Sequence, residues 1–131
     1  MAESHPHSVL VIDDDPDVRS LIEVLFELDD RFDVVATVAD GRSGVAAATE
    51  LRPDVVVVDL ELPDIDGLAV VAEVRANVPD ARVVVFSAFP DPFTLIEVLR
   101  SGAHTYLDKA TAWAELVPTV AGLCQVPFAQ L

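Results

Sequence analysis

The stretch PDVVVVDLELPDIDG, residues 53–67, decides the fold of this 131-residue chain. Within it, Val55–Val58 is apolar at every position, which predicts a strand that is buried on both faces. Strands of that kind belong to parallel sheets that carry helices on both sides. Asp59 follows the last valine directly, so the sequence predicts an acidic side chain at the carboxyl end of a buried strand.

Short runs rich in β-branched residues alternate with segments of helical periodicity on both sides of this strand. The other predicted strands are 8–12, 32–38, 83–86 and a weaker stretch at 104–107. Right-handed crossovers between parallel strands place helices on both faces of the sheet. The alternation therefore predicts a single doubly wound (βα)₅ domain of the α/β class.

Helix boundaries are predicted by aspartate, proline and glycine. Asp15–Pro16 and Asp91–Pro92 are typical of an N-cap followed by a proline in the first turn, and Gly102 is predicted to end the fourth helix. Pro118 is expected to kink or shorten the last helix. The second, third and fifth helices are predicted at roughly 41–52, 65–77 and 112–124. The loop before the third helix is expected to be shaped by Pro63, Asp64, Asp66 and Gly67.

The composition predicts a folded, acidic, cytoplasmic domain. Hydrophobic residues make up 52% of the chain, and its polar start, MAESHPHS, predicts no signal peptide. Cys124 is the only cysteine, which excludes an internal disulfide and suits a reducing compartment. The net charge of −15 disfavours direct binding to nucleic acid or anionic membranes. We expect a disordered tail at 1–7, the domain at 8–124, and a tail or the start of a linker at 125–131.

Polar side chains follow four of the predicted strands. Asp13 and Asp14 come after the first strand, Asp59 after the third, Ser87 after the fourth, and Lys109 two residues beyond the fifth. Ligands of doubly wound sheets bind beyond the carboxyl ends of the strands. The sequence therefore predicts that three acids, a hydroxyl and a lysine converge on one edge of the sheet.

Three carboxylates at close range repel one another, so that either a proton or a cation must be recruited. Mg²⁺ is the cation we expect, because it prefers oxygen ligands. Asp15 is predicted to cap a helix, which leaves Asp13 and Asp14 to accompany Asp59 in binding the metal.

A carboxylate held beside Mg²⁺ and an ammonium group is expected to be ionised and nucleophilic, and aspartate is an acceptor of phosphoryl groups. The negative charge on a transferring phosphoryl group can be offset by a metal, an ammonium group and a hydroxyl. These residue types predict that Asp59 accepts the group, while Ser87 and Lys109 contact its oxygens.

Four segments occur together in the chain: VLVIDDDPDVR (9–19), PDVVVVDLELPDIDG (53–67), VVVFSAF (83–89) and GAHTYLDKA (102–110). In their order and spacing they resemble the response-regulator receiver domain of bacterial two-component signalling, over about residues 8–124. The resemblance implies a flavodoxin-like sheet of order 2-1-3-4-5. It also implies a phosphorylation-activated switch whose donor is a sensor histidine kinase or a histidine phosphotransfer protein.

The resemblance assigns a metal role to four residues. Asp59 is the phosphoacceptor and also a metal ligand, Asp14 is a direct Mg²⁺ ligand, and Asp13 acts largely through water. Glu61 occupies the position at which the family supplies a backbone carbonyl to the metal.

The resemblance also assigns the switch residues. Ser87 is the switch hydroxyl, Lys109 the basic residue of the site, and Tyr106 the aromatic residue that changes rotamer as Ser87 moves toward the phosphoryl group. The face made by the fourth helix, fifth strand and fifth helix is then expected to change with phosphorylation.

The chain departs from the common family pattern near the site. Ala110 stands where proline is frequent, so we expect a trans peptide bond after Lys109. Thr105 stands where glycine is common. Phe89 stands where many members carry a polar residue, and our hypothesis is that Phe89 and the Glu61 side chain slow hydrolysis of the phospho-aspartate.

Other functions fit the sequence less well. A receiver-like interaction domain that is not regulated by phosphate is the main alternative. An aspartate-nucleophile phosphatase is disfavoured, because Asp15, Asp17 and Arg19 do not fit its Asp-x-Asp-x-Thr/Val pattern. A flavodoxin is disfavoured as well, because the acids after the first strand would repel the phosphate that its Ser/Thr/Gly-rich loop binds. No enzymatic activity is expected beyond the chain's own aspartyl phosphorylation and dephosphorylation. The sequence leaves open the kinase, an output domain or downstream partner, and a phosphorylation-linked homodimer.

Overall fold

The computed structural model describes residues 5–88 and 92–125. Its five strands form one sheet, in which every neighbouring pair is parallel and the order is β2-β1-β3-β4-β5. The strands are β1 (His7–Ile12), β2 (Phe32–Val38), β3 (Val55–Val58), β4 (Arg82–Ser87) and β5 (Thr105–Asp108). The doubly wound fold and the predicted strand order are confirmed. The bounds of β2 and β3 are those predicted. β1 begins one residue earlier than predicted, β4 is one residue longer at each end, and β5 lies one residue further along the chain.

Five α-helices follow the strands in turn: α1 (Pro16–Glu27), α2 (Gly41–Leu51), α3 (Gly67–Asn77), α4 (Pro92–Arg100) and α5 (Leu116–Cys124). The Asp15 carboxylate caps α1 by accepting hydrogen bonds from the N–H groups of Asp17 and Val18, as predicted. Gly102 follows the end of α4 with a φ of +109°, which is the left-handed conformation that glycine supplies after a helix. The predicted cap Asp91 lies outside the described residues.

Two predicted helix starts are wrong. Helix α3 begins at Gly67 rather than at residue 65, because the Asp66 carboxylate accepts from the Leu68 N–H and makes Asp66 the cap. The last predicted helix begins as a short 3₁₀ turn, Trp113–Glu115, and α5 starts only at Leu116. Pro118 then lies in the first turn of α5, where a missing N–H costs no helical hydrogen bond.

The four valines of β3 show why the sheet is covered on both faces. Val56 and Val58 pack in one buried cluster with residues of α2, α3 and α4. Val55 and Val57 pack in a second cluster with residues of α1 and α5. Successive side chains of a strand point to opposite faces, so a strand with apolar residues at every position joins both halves of the core.

The register of the strands brings their carboxyl ends to one edge. Ile12 at the end of β1 lies opposite Val58 at the end of β3, and Val58 lies opposite Val85 of β4. Ser87, the last residue of β4, lies opposite Asp108, the last residue of β5. The residues that follow these ends therefore start from neighbouring positions. Within the described ranges, no helix is long and apolar enough to cross a membrane.

His104 joins the start of β5 to β4 through its side chain as well as its backbone. The Val83 N–H donates to His104 Nδ1 over 2.9 Å, and the His104 N–H donates to the Val83 carbonyl over 2.8 Å. Burial lowers the pKa of this imidazole, and the positive charges of Arg75 and Arg82 lower it further. A neutral ring is therefore favoured in the folded protein.

We expect the free energy of unfolding to fall as the pH is lowered through 6.5, the ordinary pKa of histidine. The unfolded chain takes up a proton on His104 there, while the folded chain resists it until a lower pH. Urea unfolding at about pH 8 and about pH 5 measures the change. The variant His104→Asn keeps an acceptor near the position of Nδ1 without titrating, so it should lose less stability than the parent. An equal loss in both proteins would contradict this account.

Candidate functional site

Three polar residues are buried in the part of the chain that the structure describes, and all three lie at the carboxyl edge of the sheet. Asp13 is 2% exposed, Asp59 6% and Ser87 1%. Burial of a carboxylate costs free energy unless it is paired or hydrogen-bonded. The hydrogen-bond and ion-pair partners of these three side chains therefore indicate the chemistry of this edge.

Asp59 has donors on both of its carboxylate oxygens. Oδ1 accepts from Ser87 Oγ at 2.5 Å and from the Glu61 N–H at 3.2 Å, while Oδ2 accepts from Lys109 Nζ at 3.1 Å. The Asp59 N–H donates to the Ile12 carbonyl and continues the β1–β3 ladder. The side chain is thus held in one direction by donors from the loop after β3, from β4 and from the residue after β5.

Asp13 is held by the same lysine. Its Oδ2 accepts from Lys109 Nζ at 2.7 Å and its Oδ1 accepts from the Asp15 N–H at 2.9 Å. Burial raises the pKa of Asp13, although the Lys109 hydrogen bond opposes that rise. Burial also pulls the pKa of Lys109 down, but the hydrogen bond to Asp13 and the charges of Asp59 and Asp13 outweigh it and raise that pKa. Lys109 therefore stays charged between two acids.

The predicted metal ligands come together. Asp13, Asp14 and Asp59 each offer a carboxylate oxygen, and these three oxygens lie within 4.8 Å of one another. One ammonium group cannot offset three carboxylates, and the remaining negative charge with its oxygen donors fits a hard divalent cation. Asp14 is exposed, so a cation there would also have access to water.

Glu61 lies beside Asp59 through its backbone. Its N–H donates to Asp59 Oδ1 at 3.2 Å, and its side chain is exposed. The chain thus passes close to the acidic group at this point, as a backbone ligand requires. The roles of the Glu61 carbonyl and side chain stay predictions.

Ser87 connects Asp59 to Tyr106. The Ser87 hydroxyl donates to Asp59, and the Tyr106 hydroxyl donates to the Ser87 carbonyl at 2.5 Å. Burial raises the pKa of the half-buried Tyr106, and the charges of Asp108 and Asp59 raise it further. The phenol therefore stays protonated as a donor, and one residue joins the predicted acceptor to the predicted switch aromatic.

The loop between β3 and α3 is fixed at two points. The Gly67 N–H donates to the Leu60 carbonyl, and a Cβ on Gly67 would lie 2.5 Å from Leu60 Cα and 2.6 Å from the Asp59 carbonyl oxygen. The Asp64 carboxylate accepts from the N–H groups of Gly41 and Arg42 at the start of α2. The shaping role predicted for Asp64 and Gly67 thus has a structural basis, but the sequence did not reveal that Asp64 contacts α2.

The sequence also did not reveal a contact of Arg19, whose Nη1 donates to the Asp13 carbonyl at 2.8 Å. Arg19 lies one turn into α1, four residues beyond its cap. A basic residue one turn after an acidic loop could have indicated a contact between its side chain and that loop.

Three residues depart from the common family pattern near the site, and the structure describes two of them, Thr105 and Ala110. The peptide bond between Lys109 and Ala110 is trans, as expected, since the described residues contain no cis bond. The Ala110 N–H donates to Asp108 Oδ1, and Thr105 begins β5. Phe89 lies outside the described residues, so its predicted place near the site stays a prediction.

Known proteins share both the sequence pattern and the fold. The family described as the response regulator receiver domain matches residues 9–121. The transcriptional regulatory protein PrrA of Mycobacterium tuberculosis is 42% identical over 115 residues, which are 88% of this chain and 48% of PrrA. A nitrate/nitrite response regulator protein homolog of Haemophilus influenzae is 38% identical over 120 residues, 89% of this chain and 56% of that protein.

Among solved structures, the signal receiver domain of the response regulator NarL from Mycobacterium tuberculosis is similar with a TM-score of 0.86 and 29% identity, over 93% of this chain and 98% of that one. The present chain spans about half the length of the curated relatives it matches.

Gly67→Ala should lower the free energy of unfolding by about 1–3 kcal/mol, because the new methyl group meets backbone atoms that cannot move aside independently. It should also shift the amide resonances of Asp59 and Leu60. The matched control is Gly122→Ala, where a Cβ meets nothing within 4 Å and helix propensity predicts a gain of roughly 0.5–1 kcal/mol. Chemical denaturation measures both. Equal effects of the two substitutions would refute the close approach at Gly67.

Proposed function

Because the chain belongs to the response regulator receiver domains of two-component signalling, we propose that Asp59 accepts a phosphoryl group with Mg²⁺ bound beside it. The donor is a sensor histidine kinase or a histidine phosphotransfer protein. The observation that carries the proposal is the buried Asp59 carboxylate with a hydroxyl at one oxygen and an ammonium group at the other.

The transfer requires little of the protein beyond position and charge. An Asp59 oxygen forms a bond to phosphorus as the phosphorus–nitrogen bond of the donor histidine breaks, and the bonding electron pair goes to the imidazole nitrogen. Ser87 and Lys109, which now donate to the two Asp59 oxygens, are placed to donate to the phosphoryl oxygens. Their hydrogen bonds offset the negative charge that the group brings.

The metal site uses the acids of β1 and β3. Asp14 and Asp59 would hold Mg²⁺ through carboxylate oxygens and Glu61 through its carbonyl, while Asp13 would act largely through water. Bound Mg²⁺ offsets charge on the phosphoryl oxygens. The support is the 4.8 Å grouping of the three carboxylates and the charge that Lys109 leaves unbalanced.

The switch lies on Ser87 and Tyr106. When Asp59 carries a phosphoryl group, the Ser87 hydroxyl turns to that group, and its carbonyl and the Tyr106 phenol follow. The face of α4, β5 and α5 then changes. Exposed apolar side chains on α4, among them Phe93, Ile96 and Leu99, give a downstream partner or a phosphorylation-linked homodimer a surface to read.

We also propose the boundaries of the receiver domain. Residues 8–124 form the receiver domain, with 1–7 as a tail and 125–131 as a tail or the start of a linker. Since this chain spans about half of its curated relatives, we propose that any output activity belongs to a further domain or to a partner. Its own catalysis is confined to phosphorylation and dephosphorylation of Asp59.

Incubation with acetyl phosphate and Mg²⁺ should add one phosphoryl group to the protein, because Asp59 is the buried nucleophile of the site. Intact mass measures the gain. Asp59→Asn keeps the size of the side chain and should gain nothing, while chelation of Mg²⁺ should abolish the gain in the parent. A folded parent protein that takes up no phosphoryl group would favour the alternative, an interaction domain that phosphate does not regulate.

Phe89→Ser should shorten the lifetime of the phospho-aspartate by roughly three- to tenfold, because a small polar residue opens the path of the hydrolytic water. The loss of the phosphoryl group is timed by intact mass after acetyl phosphate is removed. Leu28→Ser is the control, since Leu28 is 79% exposed at the end of α1, outside the face of α4, β5 and α5, and should leave the lifetime unchanged. An unchanged or longer lifetime in Phe89→Ser would rule out the proposed hindrance.

A further inference from the structure

We propose that Arg19 is a positioning residue of the metal site, and this inference rests on the proposed function. It acts through the backbone of the acidic loop rather than on the metal or the phosphoryl group. The contact that carries it is the hydrogen bond from Arg19 Nη1 to the Asp13 carbonyl, at 2.8 Å.

The Asp13 carbonyl lies at the point where β1 has ended. The Asp13 N–H still donates to the Val38 carbonyl of β2 at 3.1 Å, but β1 stops at Ile12. The guanidinium group of Arg19 supplies the partner that the carbonyl needs at a partly buried position. The first residue of the acidic loop is thereby held through its N–H, its carbonyl and both carboxylate oxygens.

Peptide planarity transmits this constraint to Asp14. The carbonyl of residue 13 and the Cα of residue 14 lie in one plane, so a fixed Asp13 oxygen also fixes the point from which the Asp14 side chain departs. Within the ranges that the structure describes, the Asp14 carboxylate has no hydrogen bond or ion pair of its own. Its direction toward Asp13 and Asp59 therefore depends on the backbone, and Arg19 holds that backbone.

The base of the Arg19 side chain is itself rigid. The Arg19 N–H donates to the Asp15 carbonyl at 3.0 Å, which is the first helical hydrogen bond of α1. Asp15 also caps that helix and donates its own N–H to Asp13. The helix, its cap and the guanidinium group together form a closed frame around the Asp13–Asp14 peptide.

Charge alone would make Arg19 act in the opposite direction. The Arg19 guanidinium group contacts the backbone of Asp13, in a segment that also carries Asp14 and Asp15. Its positive charge repels a divalent cation, so its removal would tighten Mg²⁺ binding if charge were its only contribution. If Arg19 positions the loop, its removal weakens Mg²⁺ binding although the site becomes more negative. The sign of the change distinguishes the two roles.

The experiment measures the Mg²⁺ dissociation constant by NMR titration of the amide resonances of Asp13, Asp14 and Glu61, at constant ionic strength, for the parent, Arg19→Met, Arg19→Lys and Arg42→Met. We expect roughly tenfold weaker binding for Arg19→Met, the lower end of the effect of groups that orient metal ligands. Arg19→Lys keeps the charge without the guanidinium fork and should bind a few-fold more weakly. Arg42→Met removes an exposed charge at the start of α2 and should bind equally or more tightly.

Binding by Arg19→Met that equals or exceeds that of the parent would overturn the positioning role. If Arg19→Met does not fold, Arg19→Lys decides, and parent-like affinity in that variant would overturn the role as well. A parent protein that shows no Mg²⁺ binding at physiological concentrations would overturn the proposed metal site, and the role of Arg19 with it. Parent-like Mg²⁺ binding by Arg19→Met and absent Mg²⁺ binding by the parent protein are therefore different results, and they contradict different roles.

Discussion

The bridge of Lys109 between Asp13 and Asp59 is the interaction on which the carboxyl edge of the sheet depends. Its ammonium group lies 2.7 Å from one carboxylate and 3.1 Å from the other, although the three residues are far apart in the sequence. Two buried carboxylates next to each other would be strongly unfavourable without a cation between them. The lysine therefore fastens the end of β5 to the ends of β1 and β3 while it makes the acidic site compatible with a folded core.

The same bridge leaves part of the negative charge of the site without a partner. A single ammonium group offsets part of the charge of Asp13, Asp14 and Asp59, and the remainder favours a divalent cation. Burial of these charges lowers the free energy of unfolding, and the apolar packing of the strands offsets that loss. Val55–Val58 is entirely buried and joins the two apolar clusters. The hydrophobic core therefore begins at the residue next to the buried carboxylate of Asp59.

Features that depend on local sequence could be predicted from it. Contacts of long side chains between separate elements could not. The valine strand, the Asp15 cap and the strand-end residues follow from patterns within a few positions. The contacts of Arg19 with the Asp13 carbonyl and of Asp64 with the start of α2 depend on where separate elements come to lie in space. The late start of α5 lies between these cases, because Pro118 indicated a disturbance without fixing the residue at which the helix begins.

Ser87 links the proposed phosphoacceptor to the proposed switch aromatic. Its hydroxyl and its carbonyl belong to one residue, and they contact Asp59 and Tyr106 respectively. In the proposed switch, a Ser87 side chain that turns to a phosphoryl group on Asp59 also changes the constraints on the backbone that carries this carbonyl. The proposed phosphorylation of a buried carboxylate would therefore reach a half-buried aromatic side chain through the atoms of a single serine.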